Sequence, residues 1–177
     1  MTTFVARLTG AAMLNTATYE EVESDRSATM QAIGVVALSS LAAGVGVLGL
    51  TSARITTLAG ISLLAFAVWG IWAILTLQIG TRILPTSRTQ ADLGQLLRTI
   101  GFATAPGILR VAGVIPGTTT VVFVVTAIWM LMAMIVAVRQ ALDYTSIARA
   151  FAVCGLGWAL SFGFVIVLGL MCSPPLR

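Results

Sequence analysis

Apolar positions in this chain run in long, nearly unbroken stretches separated by short polar turns. Only the first 28 residues mix the two at helical spacing. Phe4, Val5, Leu8, Ala12 and Met13 fall on one helical face, which predicts a weak amphipathic helix lying on a membrane surface. Thr18 and Glu21 have the spacing of a capping box and predict that a second short helix starts there. That helix carries Glu20, Glu21, Glu23 and Asp25, four acids read as a solvated face.

Beyond this head the pattern predicts five membrane-spanning helices over about 30–50, 55–79, 96–114, 119–138 and 150–171. Each is close to the roughly twenty residues that cross a hydrocarbon core at about 1.5 Å per residue. The fold class is therefore all-α: a polytopic bundle of five transmembrane helices (29–173) behind a cytoplasmic head (1–28), with a short outer tail at 174–177.

The first span is rich in small residues. Ser40 with Gly44 and Ala42 with Gly46 form small-x-x-x-small pairs that let helix backbones approach closely. The turn Thr51–Arg54 is short enough to make the first two spans antiparallel neighbours. Trp69 and Trp72 lie where an interfacial belt would hold at least one of them. Thr89 and Asp92 offer a cap for the third helix. That span contains Gly101 and is broken mid-course by Pro106, tolerable in a bilayer where neighbouring groups satisfy the freed carbonyls. Pro116 and Gly117 signal the next turn, and Pro174 and Pro175 close the chain's last helix.

Composition agrees: 58% of the 177 residues are hydrophobic and 9% charged, far below the quarter or so of a soluble domain. Ten arginines, no lysine and six acids give a net charge of +4. The arginines form no run that would track a phosphate backbone, so nucleic acid is excluded as a partner. With five spans, Arg7, Arg26, Arg82, Arg88, Arg98, Arg139 and Arg149 share one side, against Arg54, Arg110 and Arg177 on the other. Positive charge stays inside, which places the N-terminus in the cytoplasm and the C-terminus outside. No cleavable signal peptide is evident.

Candidate chemistry is sparse. All six carboxylates lie outside the spans, no histidine exists, and Cys154 and Cys172 fit neither a CxxC pair nor a metal knuckle. No catalytic, metal or cofactor-binding residue is assigned. Hydroxyls inside spans (Thr56, Thr57, Ser62, Thr126, Ser161) are read as bonding back to their own helices. One constellation stands out: Arg98 opens the third span, Arg139 and Asp143 follow the fourth, and Arg149 opens the fifth. Asp143 is expected to pair with Arg98 across helices or with Arg139 at i, i+4. Alternatively these arginines form a face for anionic lipid or a partner.

Four stretches together resemble the Yip-domain family of five-span membrane proteins, in its short bacterial form. They are YEEVESDRSATMQAIGVVALSSLAAG (19–44), GTRILP (80–85), LGQLLRTIGFATAPGILRV (93–111) and IWMLMAMIVAVRQALDY (128–144). The resemblance implies five helices with the same cytoplasmic N-terminus. Eukaryotic members interact with Rab GTPases and with one another in vesicle traffic, partly through longer heads. The short head and all-arginine usage here point to a bacterial cytoplasmic membrane, where that role does not carry over.

The expected function is that of a non-enzymatic scaffold, assembly factor or accessory subunit of a larger membrane complex, respiratory or photosynthetic. Its partners would be membrane lipids and other membrane subunits or itself. A small transporter or channel, or a lipid-handling protein, is the alternative.

Overall fold

The computed structural model describes residues 3–48, 55–85 and 91–172. It is all-α, with no strand among the described residues. Two short helices open the chain, α1 (Phe4–Ala12) and α2 (Thr16–Ser24), followed by α3 (Ala28–Val47) and α4 (Ile55–Gln78). A π turn (Ile79–Ile83) leads on to α5 (Leu93–Ala103) and a 3-10 segment (Ala105–Val114). Helices α6 (Thr119–Ala141) and α7 (Ile147–Cys172) complete the bundle. The turn Thr51–Arg54, the cap residue Thr89 and the tail 174–177 lie outside the described residues.

Among the described residues three helical stretches are long and apolar enough to cross a membrane: Ala28–Val47, Phe66–Ile83 and Thr119–Ala141. Five such spans were expected. The third of the five, 96–114, is divided: α5 ends at Ala103 and the chain tightens into the 3-10 segment. Pro106 explains the change, because it has no N–H for the carbonyl four residues back. Gly107 N–H instead reaches the Thr104 carbonyl at 2.8 Å, and the Thr104 hydroxyl covers the Gly101 carbonyl.

Asp92 caps α5 in a reciprocal box with Gln95: its carboxylate accepts from Gln95 N–H at 2.7 Å, and Gln95 Oε1 accepts from Asp92 N–H at 2.8 Å. The expected box at Thr18 and Glu21 is not formed. Helix α2 starts two residues earlier, where Asn15 Oδ1 accepts from Ala17 N–H, so Thr18 already lies in its first turn. The better cap won.

Helix α5 and the 3-10 segment form the centre. Their course runs parallel to α3, with Gly101 beside Ala32, Gly107 beside Ser39, and Gly113 beside Gly46. A Cβ on Gly101 would stand 2.9 Å from that of Ala32, and one on Gly46 would strike the Arg110 carbonyl oxygen. These close approaches need glycine. Helix α6 runs the opposite way, with Phe123 against Gly46, Met130 against Gly107, and Gln140 at the far end bonded to Glu20.

Two cores result. One joins α4 to α7 through Trp72, Ile79, Leu96, Ile100, Leu142, Tyr144 and Val153. The other draws the N-terminal helices onto the bundle, with Tyr19, Val22, Val35 and Phe102 set among Ala32, Ala103, Ala133 and Ala137. The head is thus packed into the protein instead of standing apart. Trp72 is buried in the α4–α7 contact against Gly157, which leaves the partly buried Trp69 as the candidate for the interfacial belt. The indole N–H groups of Trp69 and Trp72 have no hydrogen-bond partner among the described residues.

The long helices are inside out by the standard of soluble proteins. Buried positions of α6 are Thr119, Thr126, Ala133, Ala137, Val138 and Ala141, while Val121, Val124, Val125, Ile128 and Met132 stand exposed in a stripe. Helix α3 buries Ala28, Ser39, Ser40, Ala43 and Gly44, and exposes Leu38 and Leu41. Burying small residues and displaying large apolar ones suits a solvent as apolar as leucine, where close backbone packing holds helices together.

Candidate functional site

Charged residues gather at one end of the bundle, where α2, α5 and α6 meet. The densest cluster centres on Arg7, which is only 5% exposed. Its Nε and Nη2 donate to Glu21 Oε1 at 3.0 and 2.8 Å, Nη2 also donates to Asp25 at 2.7 Å, and Nη1 reaches Gln31 at 3.1 Å. Burial opposes the charge on Arg7, but the hydrogen bonds it donates to Asp25 and Glu21, with their charges, overcome that and raise its pKa. Asp25 is in turn held at about 2, by hydrogen bonds from Ser27 and from Arg7. So Glu21 and Asp25 are not the solvated face read from the sequence; they are the grip on a buried cation.

Arg98 is buried and ties α5 to the end of α2: Nε donates to the Val22 carbonyl at 3.0 Å, and Nη2 donates to that of Glu23. Those carbonyls belong to the last turn of α2, where no intrahelical donor is left and a cation is favoured. The expected Arg98–Asp143 pair is therefore not made, nor is an Arg139–Asp143 pair. Among the described residues the ion pairs are Arg7 with Glu21 and Arg7 with Asp25. Arg139 instead donates to the Tyr144 carbonyl at 3.2 Å.

Asp143 has a different task. It sits at φ 51° just past the end of α6, its N–H bonded to the Gln140 carbonyl and the Tyr144 N–H to that of Arg139. This is a Schellman closure, and aspartate is among the few side chains that tolerate the left-handed backbone it needs. Arg149 is exposed at the start of α7. Close by, the half-buried Glu23 carboxyl is pushed up to about 7, first by burial, then by the Asp143 charge, against the opposing pull of Arg98.

The remaining candidates serve packing. Gly101 and Pro106 are buried in α5 and the 3-10 segment, Gly101 against Ala32 of α3, and Gly44 is buried on α3. At the opposite end Arg110 stacks over Phe123, 5.2 Å from the ring centroid, and donates to Thr126 Oγ1 at 3.2 Å. Thr126 itself bonds back to the Val122 carbonyl at 2.7 Å. The side chains of Thr56, Thr57, Ser62 and Ser161 lie outside the described set. Among the described residues no group of histidine, cysteine or carboxylate side chains could hold a metal ion, and Cys154 is buried with a free thiol.

Sequence reasoning missed Arg7. A signal was present: Arg7 and Glu21 are fourteen residues apart and symmetric about Leu14, as the two arms of a tight helical hairpin require. Comparison with known protein families, curated proteins and solved structures finds no match.

Proposed function

We propose that this protein is a non-enzymatic integral-membrane scaffold, assembly factor or accessory subunit of a larger membrane complex, respiratory or photosynthetic in kind. It would be a five-span bundle of the Yip-domain type in a bacterial cytoplasmic membrane. The division of arginines, seven against three, supports an N-terminus in the cytoplasm. Helix α5 with the 3-10 segment serves as the third span: roughly 16 and 20 Å of rise in sequence are enough for a bilayer. Helix α7 serves as the fifth.

One observation carries the reading. The exposed faces of the described helices are apolar stripes: Leu63, Leu64, Val68, Ile71 and Ile74 on α4, Val121, Val124, Val125, Ile128 and Met132 on α6, and Phe151, Leu156 and Leu160 on α7. Contiguous apolar surface of this kind is for lipid or for another membrane helix. The charged groups, by contrast, are largely spent on one another and on helix ends, which leaves little to work on a substrate. The non-enzymatic reading rests on that and on the lack of histidine in the chain.

The test is purification of the tagged protein from its native membranes in mild detergent, with mass spectrometry of what accompanies it. A fixed stoichiometric set of membrane subunits is expected, and its members identify the host complex. The set should weaken when bulky apolar residues of the α6 stripe are replaced by alanine. Recovery of the protein alone would overturn the scaffold reading.

A further inference from the structure

Helices α1 and α2 form a hairpin whose position in the bundle is deeper than a surface-lying head allows. Its turn, Met13–Asn15, meets α6 near that helix's middle: Trp129 Nε1 donates to the Ala12 carbonyl at 2.7 Å. Trp129 is the eleventh residue of a 23-residue helix, about 18 Å along the axis from Ala141. The hairpin's other end is level with the charged end of the bundle, through Arg7 to Gln31 and Glu20 to Gln140. Helix α1 also touches the 3-10 segment, beyond the midpoint of the third span.

The residues fit that depth. From Leu8 to Tyr19 there is no charged side chain, and the first charges on either side, Arg7 and Glu20, sit at the shallow end. At the tip Met13 is 78% exposed. Several of the tip's backbone groups have protein partners, although the Met13 and Leu14 carbonyls and the Thr16 N–H have none among the described residues. Leu14 N–H reaches the Ala11 carbonyl and Asn15 N–H that of Gly10, both at 3.0 Å, with Leu14 at φ 62°. Asn15 then caps α2, the Tyr19 hydroxyl donates to the Ala11 carbonyl at 3.0 Å, and the Trp129 indole takes the next one. The same closure ends α6 at Asp143, so it fits either setting; at depth, each bonded group lowers the cost of placing the turn in hydrocarbon.

We infer that α1–α2 is a half-inserted helical hairpin, its uncharged tip in contact with lipid acyl chains near the bilayer centre and its Arg7–Glu21–Asp25 latch at the membrane surface. This rests on the reading that α6 spans the membrane. The hairpin enters and leaves on one side, adds no span, and gives the protein a wedge in a single leaflet.

Nitroxide side chains attached to single cysteines in a Cys154→Ala, Cys172→Ser background test it, in phosphatidylcholine–phosphatidylglycerol vesicles. The sites are Met13→Cys at the tip, Ile128→Cys on the exposed stripe of α6, and Ser24→Cys at the shallow end; all three native side chains are exposed, so the fold tolerates them. Collisions with oxygen report lipid and those with a water-soluble nickel chelate report water. The oxygen-to-nickel ratio at Met13 should match that at Ile128 and exceed that at Ser24 several-fold. Replacing Trp129 by phenylalanine should shift Met13 towards the nickel reagent. A ratio at Met13 equal to that at Ser24, with Ile128 still in lipid, would overturn the hairpin alone. So would a Met13 label immobile and closed to both reagents. If Ile128 also met water, the spanning reading would fall and the hairpin with it.

Discussion

Asp143 shows how a residue's backbone decides its role. The sequence places it beside three arginines, and pairing was the natural expectation; the left-handed turn that ends α6 takes it instead. Asp143→Gly should therefore be neutral or stabilise by up to about 1 kcal/mol, while a β-branched residue there should destabilise by a similar amount, as read by thermal unfolding in detergent micelles. Asn15→Ala removes the cap of α2 and should cost about 1 kcal/mol. Glu23 makes stability depend on pH. Its carboxyl titrates near 4.5 when unfolded and is raised to about 7 in the fold, where Asp143, Glu20 and Asp92 add to its burial and Arg98 opposes them. The folded state therefore holds the proton more tightly, and its contribution is lost as pH climbs from about 4.5 through about 7. Glu23→Gln should remove that dependence, gaining stability at pH 8 over the parent and changing little at pH 4. An unfolding temperature that falls equally in both proteins would contradict this.

Among elements, α5 with the 3-10 segment broken off it at Pro106 organises the rest. Pro106 was legible as a break, and Asp92 as a cap, because both act locally. What the break becomes was not legible: a ten-residue 3-10 run depends on Gly46 and Ser39 of α3 lying close enough to stabilise its tight backbone. The hairpin was hidden for a similar reason. Leu14 does not advertise a left-handed turn, and Arg7 reads as a surface charge until Glu21, Asp25 and Gln31 from two other helices close around it. Long-range contacts of this sort leave no period in the sequence. Gly101→Leu should force α3 and α5 apart at Ala32 and destabilise by about 1–3 kcal/mol, whereas Gly34, with open space beside it, should accept alanine with no such penalty. Equal loss at both positions would argue against the close α3–α5 contact.

At the scale of the whole molecule, the distribution of charge and apolar surface is the feature that ties fold to proposed role. All six acids and the buried cations Arg7 and Arg98 lie in or beside α5, the hairpin and the end of α6. The opposite end offers Arg110 over Phe123, and the flanks offer valine, leucine and isoleucine. A bundle so built has one polar end and apolar flanks, which the proposed role turns to the cytoplasm and to lipid and neighbouring subunits. The proposed five-span topology requires an odd number of crossings, and the parity is directly measurable. The decisive measurement is two-sided labelling of terminal epitope tags in intact and permeabilised cells. Five spans predict a C-terminal tag reached from outside in intact cells and an N-terminal tag reached only after permeabilisation. Both tags reached on the same side would mean an even number of crossings and would contradict the five-span bundle.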